Sequence, residues 1–150
     1  MTHRWLEDYQ VGSTGTYGPL EVDADEVVAF GERYDPQPFH VDAEAAAAGP
    51  FGGLIASGWH TCAMMMRLFA HEHLSPASSL GSPGVDALRW LRPVRPGDQL
   101  VLHTTVVEVR RSRSKPDRGV VRTEVELRDQ EDRPVLTLSA LNLVLARPAP

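Results

Sequence analysis

The chain has 150 residues, a formal net charge of −5 and one cysteine, Cys62. The length suits one domain over residues 1–150 with a real core, the charge argues against a nucleic-acid partner, and a lone cysteine excludes an internal disulfide. Cys62 lies in an apolar run and reads as a small buried hydrophobe, which fits a reducing compartment. The run itself, Thr61 to Met66, is cut by Arg67 and is too short to cross a bilayer. Met1 to Asp8 lacks the apolar centre of a signal peptide, so a cytoplasmic protein is expected, with no membrane contact.

The elements follow in order. Trp5, Leu6, Tyr9 and Val11 make an irregular lead-in. Ser13 to Val22 reads as a first strand, interrupted by Gly18-Pro19 as an edge or bulge would be. Asp23 is an N-cap, and Glu26 three residues on completes an Asp version of the capping box. Val27, Val28, Phe30 and Tyr34 then predict an amphipathic helix from Ala24 to Tyr34. Pro36 stops it by pushing Asp35 out of the helical region, and Pro38 does the same to Gln37. Asp35 therefore sits just past a helix end, with His40 in an extended segment a few residues later. Asp42 caps a short helix over Ala43–Ala48.

Gly49, Pro50, Gly52 and Gly53 mark a loop. Ser57 caps the next helix, from about Gly58 to His73. Its apolar residues lie on nearly all sides (Trp59, Cys62, Met64, Met65, Met66, Leu68, Phe69), which predicts burial. Residues 75–84 form a loop. Strands follow over Val85–Leu91, Gln99–Arg110, Val120–Arg128 and Val135–Leu145, the third alternating cleanly between Val121, Thr123, Val125, Leu127 and Arg122, Glu124, Glu126, Arg128. Long strands joined by hairpins make an antiparallel sheet. The class is α+β, and the simplest packing wraps the sheet around the buried helix, the hot-dog arrangement. Its open sheet edge and helix face favour a homodimer.

Asp35 and His40 are the leading chemical candidates. Adding water across a double bond next to a thioester requires a base, an acid and a donor for the enolate oxygen. A carboxylate and an imidazole on a proline-stiffened turn can share the first two roles. Which is base and which acid stays open. An Asp at a helix end and a His in a loop also occur for structural reasons alone. Gly58, at the start of a helix, has an N–H without an intrahelical partner and lets a substrate oxygen approach the backbone; it could equally be a packing glycine.

Asp35-x-Gln37-Pro38-x-His40, followed by Ile55-Ala56-Ser57-Gly58, resembles the MaoC-like dehydratase family, which includes the (R)-specific enoyl-CoA hydratases. Leu91-Arg92-Pro93-Val94-Arg95-Pro96-Gly97-Asp98 is similar to a strand end of that family, and the likeness covers about residues 10–145. It implies a hot-dog domain that adds water reversibly to a trans-2-enoyl-CoA, giving a 3-hydroxyacyl-CoA. Asp35 and His40 would then be catalytic, and Gly58 the backbone oxyanion donor, with Ser57 and Phe39 beside the substrate. Coenzyme A would arrive as part of the substrate, with no other cofactor and no metal. Gln37 stands where the motif has Asn, Phe39 where it has an aliphatic residue, and Ser57 where many members carry His. These departures bear on substrate choice, and Phe39 is expected to narrow the acyl pocket.

Other residues attract simpler readings. His60 is expected to bond a loop carbonyl. His71 and His73 do not share a helical face, and no set of ligands has zinc spacing. Ser57 lacks the glycines of a nucleophile elbow. Trp59, Met64, Met65, Met66, Phe69 and Trp90 read as core, although an acyl tunnel could use them. Arg89, Arg92, Arg95 and the Arg110–Arg118 cluster could meet phosphates of coenzyme A, the last group being more simply a solvated loop. A hot-dog thioesterase and a non-catalytic acyl-CoA-binding subunit of a larger dehydratase remain as alternatives. The thioesterase usually carries a carboxylate early in the central helix, whereas here none appears between Gly58 and Glu72.

Overall fold

The computed structural model describes residues 3–150. A short turn at Leu6–Asp8 leads into β1 (Thr14–Glu21), followed by three helices: α1 (Ala24–Tyr34), α2 (Pro38–Val41) and α3 (Ala43–Ala48). The central helix, α4 (Gly58–Leu68), runs on into a π-helical turn at Phe69–His73. The remaining chain is β2 (Gly84–Trp90), β3 (Gln99–Arg111), β4 (Arg118–Arg128) and β5 (Pro134–Leu145). Among the described residues the strands form one five-stranded antiparallel sheet in the order β1-β3-β4-β5-β2. Met64, Met65 and Phe69 pack against Leu100, Leu102, Val125, Leu127, Leu136 and Leu138, so the sheet curls around α4 as expected of the hot-dog fold.

Local chemistry sets the helix ends. The Asp23 side chain accepts the Glu26 N–H at 2.9 Å, and Asp42 accepts from Glu44 and Ala45. The expected capping box is only half formed. The Glu26 carboxylate reaches instead to His60 Nε2, 3.1 Å away on α4. The Ser57 oxygen accepts from the Trp59 N–H, capping α4 as expected.

Two expectations are corrected. His40 is helical rather than extended: Gln37 is the extended N-cap and Pro38 takes the first helical position, where its fixed φ and missing N–H cost nothing. The central helix is also not buried on all sides. Trp59 is 59% exposed and Met66 42%, and with Ala63 and Ala70, also exposed, they form an apolar stripe at helical spacing. The all-round apolar pattern of the sequence thus divides into a face on the sheet and a face left open by one chain.

The edge strand β2 carries a bulge. Val85 pairs with Ala140 and Trp90 with Leu136, so five steps along β2 match four along β5. The irregularity lies between Asp86 and Arg89, where Ala87 has φ of 54°. Because a one-residue offset exchanges the faces of a strand, Trp90 rather than Arg89 shares the helix-facing side with Val85. The Gly18-Pro19 interruption appears in β1 as a register shift between Tyr17 and Leu20.

Candidate active site

The site is built where α1 ends. Pro36 prevents continuation of the helix, and the Asp35 N–H makes its last bond, to the Gly31 carbonyl at 2.8 Å. The chain then turns through Gln37 into α2. Gly31 allows α1 and α2 to meet: a Cβ there would lie 2.8 Å from Val41 Cγ1 and 3.0 Å from the His40 Cβ. This close approach brings the His40 ring back to the helix end it has just left, with Nε2 3.2 Å from Asp35 Oδ2.

Each partner is held from a second direction. The Ser57 hydroxyl donates to Asp35 Oδ2 at 2.7 Å, and the Gln37 amide donates to Oδ1 at 2.7 Å. The Ser57 bond first, then the Gln37 bond and the nearby His40, hold the Asp35 carboxyl below its usual pKa, against the opposing effect of burial. His40 is buried, and its Nδ1 lies 2.7 Å from the Ile55 carbonyl. A carbonyl only accepts, so Nδ1 carries the hydrogen. In the neutral ring Nε2 is then the unprotonated nitrogen, and its 3.2 Å contact with the Asp35 carboxylate becomes a hydrogen bond when Nε2 gains a proton.

The stretch from Ile55 to Ser57 is stitched on both sides. The Ile55 N–H donates to the Phe39 carbonyl at 3.0 Å, and the Ala56 N–H to the Val94 carbonyl at 2.8 Å. These bonds deliver Gly58 to the start of α4 beside the acid–base pair. Asp35, His40 and Gly58 line one open cavity of about 420 Å³, whose wall also includes Trp59, Trp90 and Arg92.

The candidates separate by position. Asp35, His40 and Gly58 come together at the cavity. Ser57 is fully buried and acts on the Asp35 carboxylate as well as capping α4. Phe39 packs edge-on against His40 and Phe51, outside the cavity lining. His60 bonds Glu26 and stacks on Phe30 rather than meeting a loop carbonyl. Arg95 donates to the Phe51 carbonyl, while Arg111 and Arg118 engage Glu7 and Asp117. Among the described residues no cluster of three or more His, Cys, Asp or Glu could hold a metal ion.

Several parts of the site gave little sign of themselves in the sequence. Gln37 read as a departure from a motif, yet its extra length delivers the amide to the carboxylate. The Ile55 carbonyl that fixes the imidazole is backbone and leaves no mark in the side-chain pattern. Gly31 drew no reading from the sequence, although a glycine in a helix interior is costly and invites the question of what approaches it. Trp90 read as core because the bulge that turns it cannot be inferred from alternation.

The family model described as "MaoC like domain" matches residues 11–128. The crystal structure of a MaoC-like dehydratase from Rhodospirillum rubrum superposes with a TM-score of 0.89 at 40% identity, covering 98% of this chain and 100% of that one. An uncharacterized protein, YdeM, of Bacillus subtilis is 33% identical over 69% of this chain and 72% of its own length. A 3-hydroxyacyl-thioester dehydratase Z of Mycobacterium tuberculosis is 34% identical over 62% of each chain. The match thus spans less than two thirds of that dehydratase. The fold is shared with solved structures described as a MaoC-like dehydratase and an R-hydratase. The chain belongs to the MaoC-like domain family.

Proposed function

We propose that the protein is a hydro-lyase that adds water reversibly to a trans-2-enoyl-CoA, giving a 3-hydroxyacyl-CoA. The observation that carries this reading is the convergence of Asp35, His40 and Gly58 on one cavity. Water loses a proton to His40 Nε2 while its oxygen bonds to C3 of the enoyl group. The π electrons move to the thioester oxygen, which the Gly58 N–H holds. The imidazolium that forms lies against Asp35 and is stabilised by it. The enolate then collapses and C2 takes a proton from the same pair, so that one water is added overall.

Asp35 suits the holding role better than the proton-carrying one. Its oxygens already accept from Ser57 and Gln37, and both bonds favour the ionised form. His40 has one nitrogen tied to Ile55 and the other open to proton exchange. Coenzyme A is carried by the substrate and no further cofactor takes part. Arg92, exposed at the cavity rim, is positioned to meet its phosphates. The protein works in the cytoplasm, in fatty acyl metabolism. No helix among the described residues is long and apolar enough to cross a membrane.

The working form is a homodimer. The open stripe on α4 and the edge strand β2 lie side by side around Trp59 and Trp90, whose rings are 5.1 Å apart. A second copy covers this apolar face and pairs the free edge.

The test is hydration of crotonyl-CoA and longer enoyl-CoAs by the purified protein, followed through loss of the enoyl thioester's ultraviolet absorbance. Asp35→Asn and His40→Gln should each lower kcat about 10²–10⁴-fold. Wild-type rates in both variants would refute the assignment. Release of free thiol without hydration would favour a thioesterase, and saturable acyl-CoA binding without turnover a non-catalytic subunit.

A further inference from the structure

We propose that Trp90 is a positioning residue for the reaction, holding Gly58 so that its N–H points at the thioester oxygen. The inference rests on the hydro-lyase reading given above. Three observations carry it. The indole Nε1–H donates to the Gly58 carbonyl at 2.8 Å, across 32 residues of chain. The ring also covers the Gly58 α-carbon: a Cβ there would lie 2.6 Å from Trp90 Cε2, 2.7 Å from Nε1 and 2.9 Å from Cδ2. Finally, the bulge at Ala87 turns Trp90 onto the helix-facing side of β2.

A donor at the first turn of a helix is free on one side, because no preceding residue supplies its carbonyl partner. Its direction depends on how firmly that first residue is held. Glycine is the least restrained residue for this task, since it has no side chain to limit φ and ψ. Trp90 supplies the missing restraint from outside, fixing the α-carbon by contact and the carbonyl by a hydrogen bond. This gives Gly58 a second reason to be glycine, because any side chain would occupy the space of the indole. The same ring, edge-on to Trp59, lines the cavity.

Trp90→Phe keeps an aromatic ring but removes the N–H donor. It should lower kcat for crotonyl-CoA hydration about tenfold with KM within about twofold, the pattern of a contact that matters in the transition state. A merely structural role would move the melting temperature and leave kcat of the folded protein in place. Wild-type kcat in Trp90→Phe would therefore overturn this inference while leaving the hydro-lyase reading intact. A wild-type protein that hydrates no enoyl thioester would overturn both. Independently of activity, Gly58→Ala should lower the melting temperature in the wild-type background and not in Trp90→Ala, where the methyl group has room. Equal effects in the two backgrounds would show that the indole does not hold Gly58.

Discussion

The Ser57 hydroxyl lies 2.7 Å from Asp35 Oδ2 and joins the residue that opens α4 to the residue that closes α1. The bonded oxygen is also the one that faces His40. A single hydroxyl thus favours the ionised carboxylate, bonds the oxygen nearest the imidazole and caps the first turn of the helix whose amide is proposed to hold the oxyanion.

Ser57→Ala tests the arrangement. Loss of the largest influence holding down the Asp35 pKa should raise it towards the ordinary carboxylate range, as read by NMR titration of the side-chain carboxyl carbon. The sign follows from linkage. A carboxyl depressed by folding stabilises the protein above its unfolded pKa and loses that contribution as pH falls through the folded value. In the variant this loss should begin at higher pH. Hydration should slow about tenfold, and loss of the cap should cost about 1 kcal/mol.

Gln37→Ala should be milder. Gln37 holds Oδ1, the oxygen turned away from His40, so the carboxylate keeps its contact with the imidazole when the amide is lost. A drop in kcat of about two- to fivefold is expected, smaller than that of Ser57→Ala under the same assay. The reverse ranking would mean that the outer oxygen carries the chemistry.

The pH dependence of stability should be dominated between about 4 and 6.5 by His73. Burial, aided by the Arg4 charge, pushes its pKa from 6.5 down to about 4. The folded protein keeps this ring neutral while the unfolded chain protonates it. Stability therefore rises with pH across that window and is lost as pH falls through it. The full effect is about 3 kcal/mol. Urea midpoints measured from pH 4 to 7 should show this slope, and His73→Gln should flatten it. An unchanged slope would assign it to other groups.

Met66→Glu should convert the proposed dimer to monomer, because it places a charge in the middle of the exposed apolar stripe of α4. Sedimentation or light scattering at micromolar concentration provides the measurement. A wild-type protein that already sediments as a monomer would remove the proposed assembly.

Much of the fold was legible because its rules are local. Asp23, Pro36 and Ser57 mark helix boundaries through hydrogen bonding and sterics that need no distant partner, and β4 alternates without interruption. The candidate trio of Asp35, His40 and Gly58 was legible through the resemblance to a known family, because taken singly each residue also had a plain structural reading. What stayed hidden depends on contacts between distant segments or on backbone atoms: Ser57 reaching to Asp35, Ile55 offering its carbonyl to His40, and Glu26 leaving its cap for His60. The stripe on α4 was hidden for a different reason. A surface meant for another copy and one meant for the core are written in the same apolar residues.

Ile55 grips the imidazole through its carbonyl and is followed, three residues on, by Gly58. The imidazole proposed to carry the proton and the amide proposed to steady negative charge are therefore tied to one short stretch of backbone, the first by a hydrogen bond and the second by belonging to it. If the mouth of the cavity opens to admit the long acyl thioester proposed as substrate, the two should travel in step, keeping ring and amide in register.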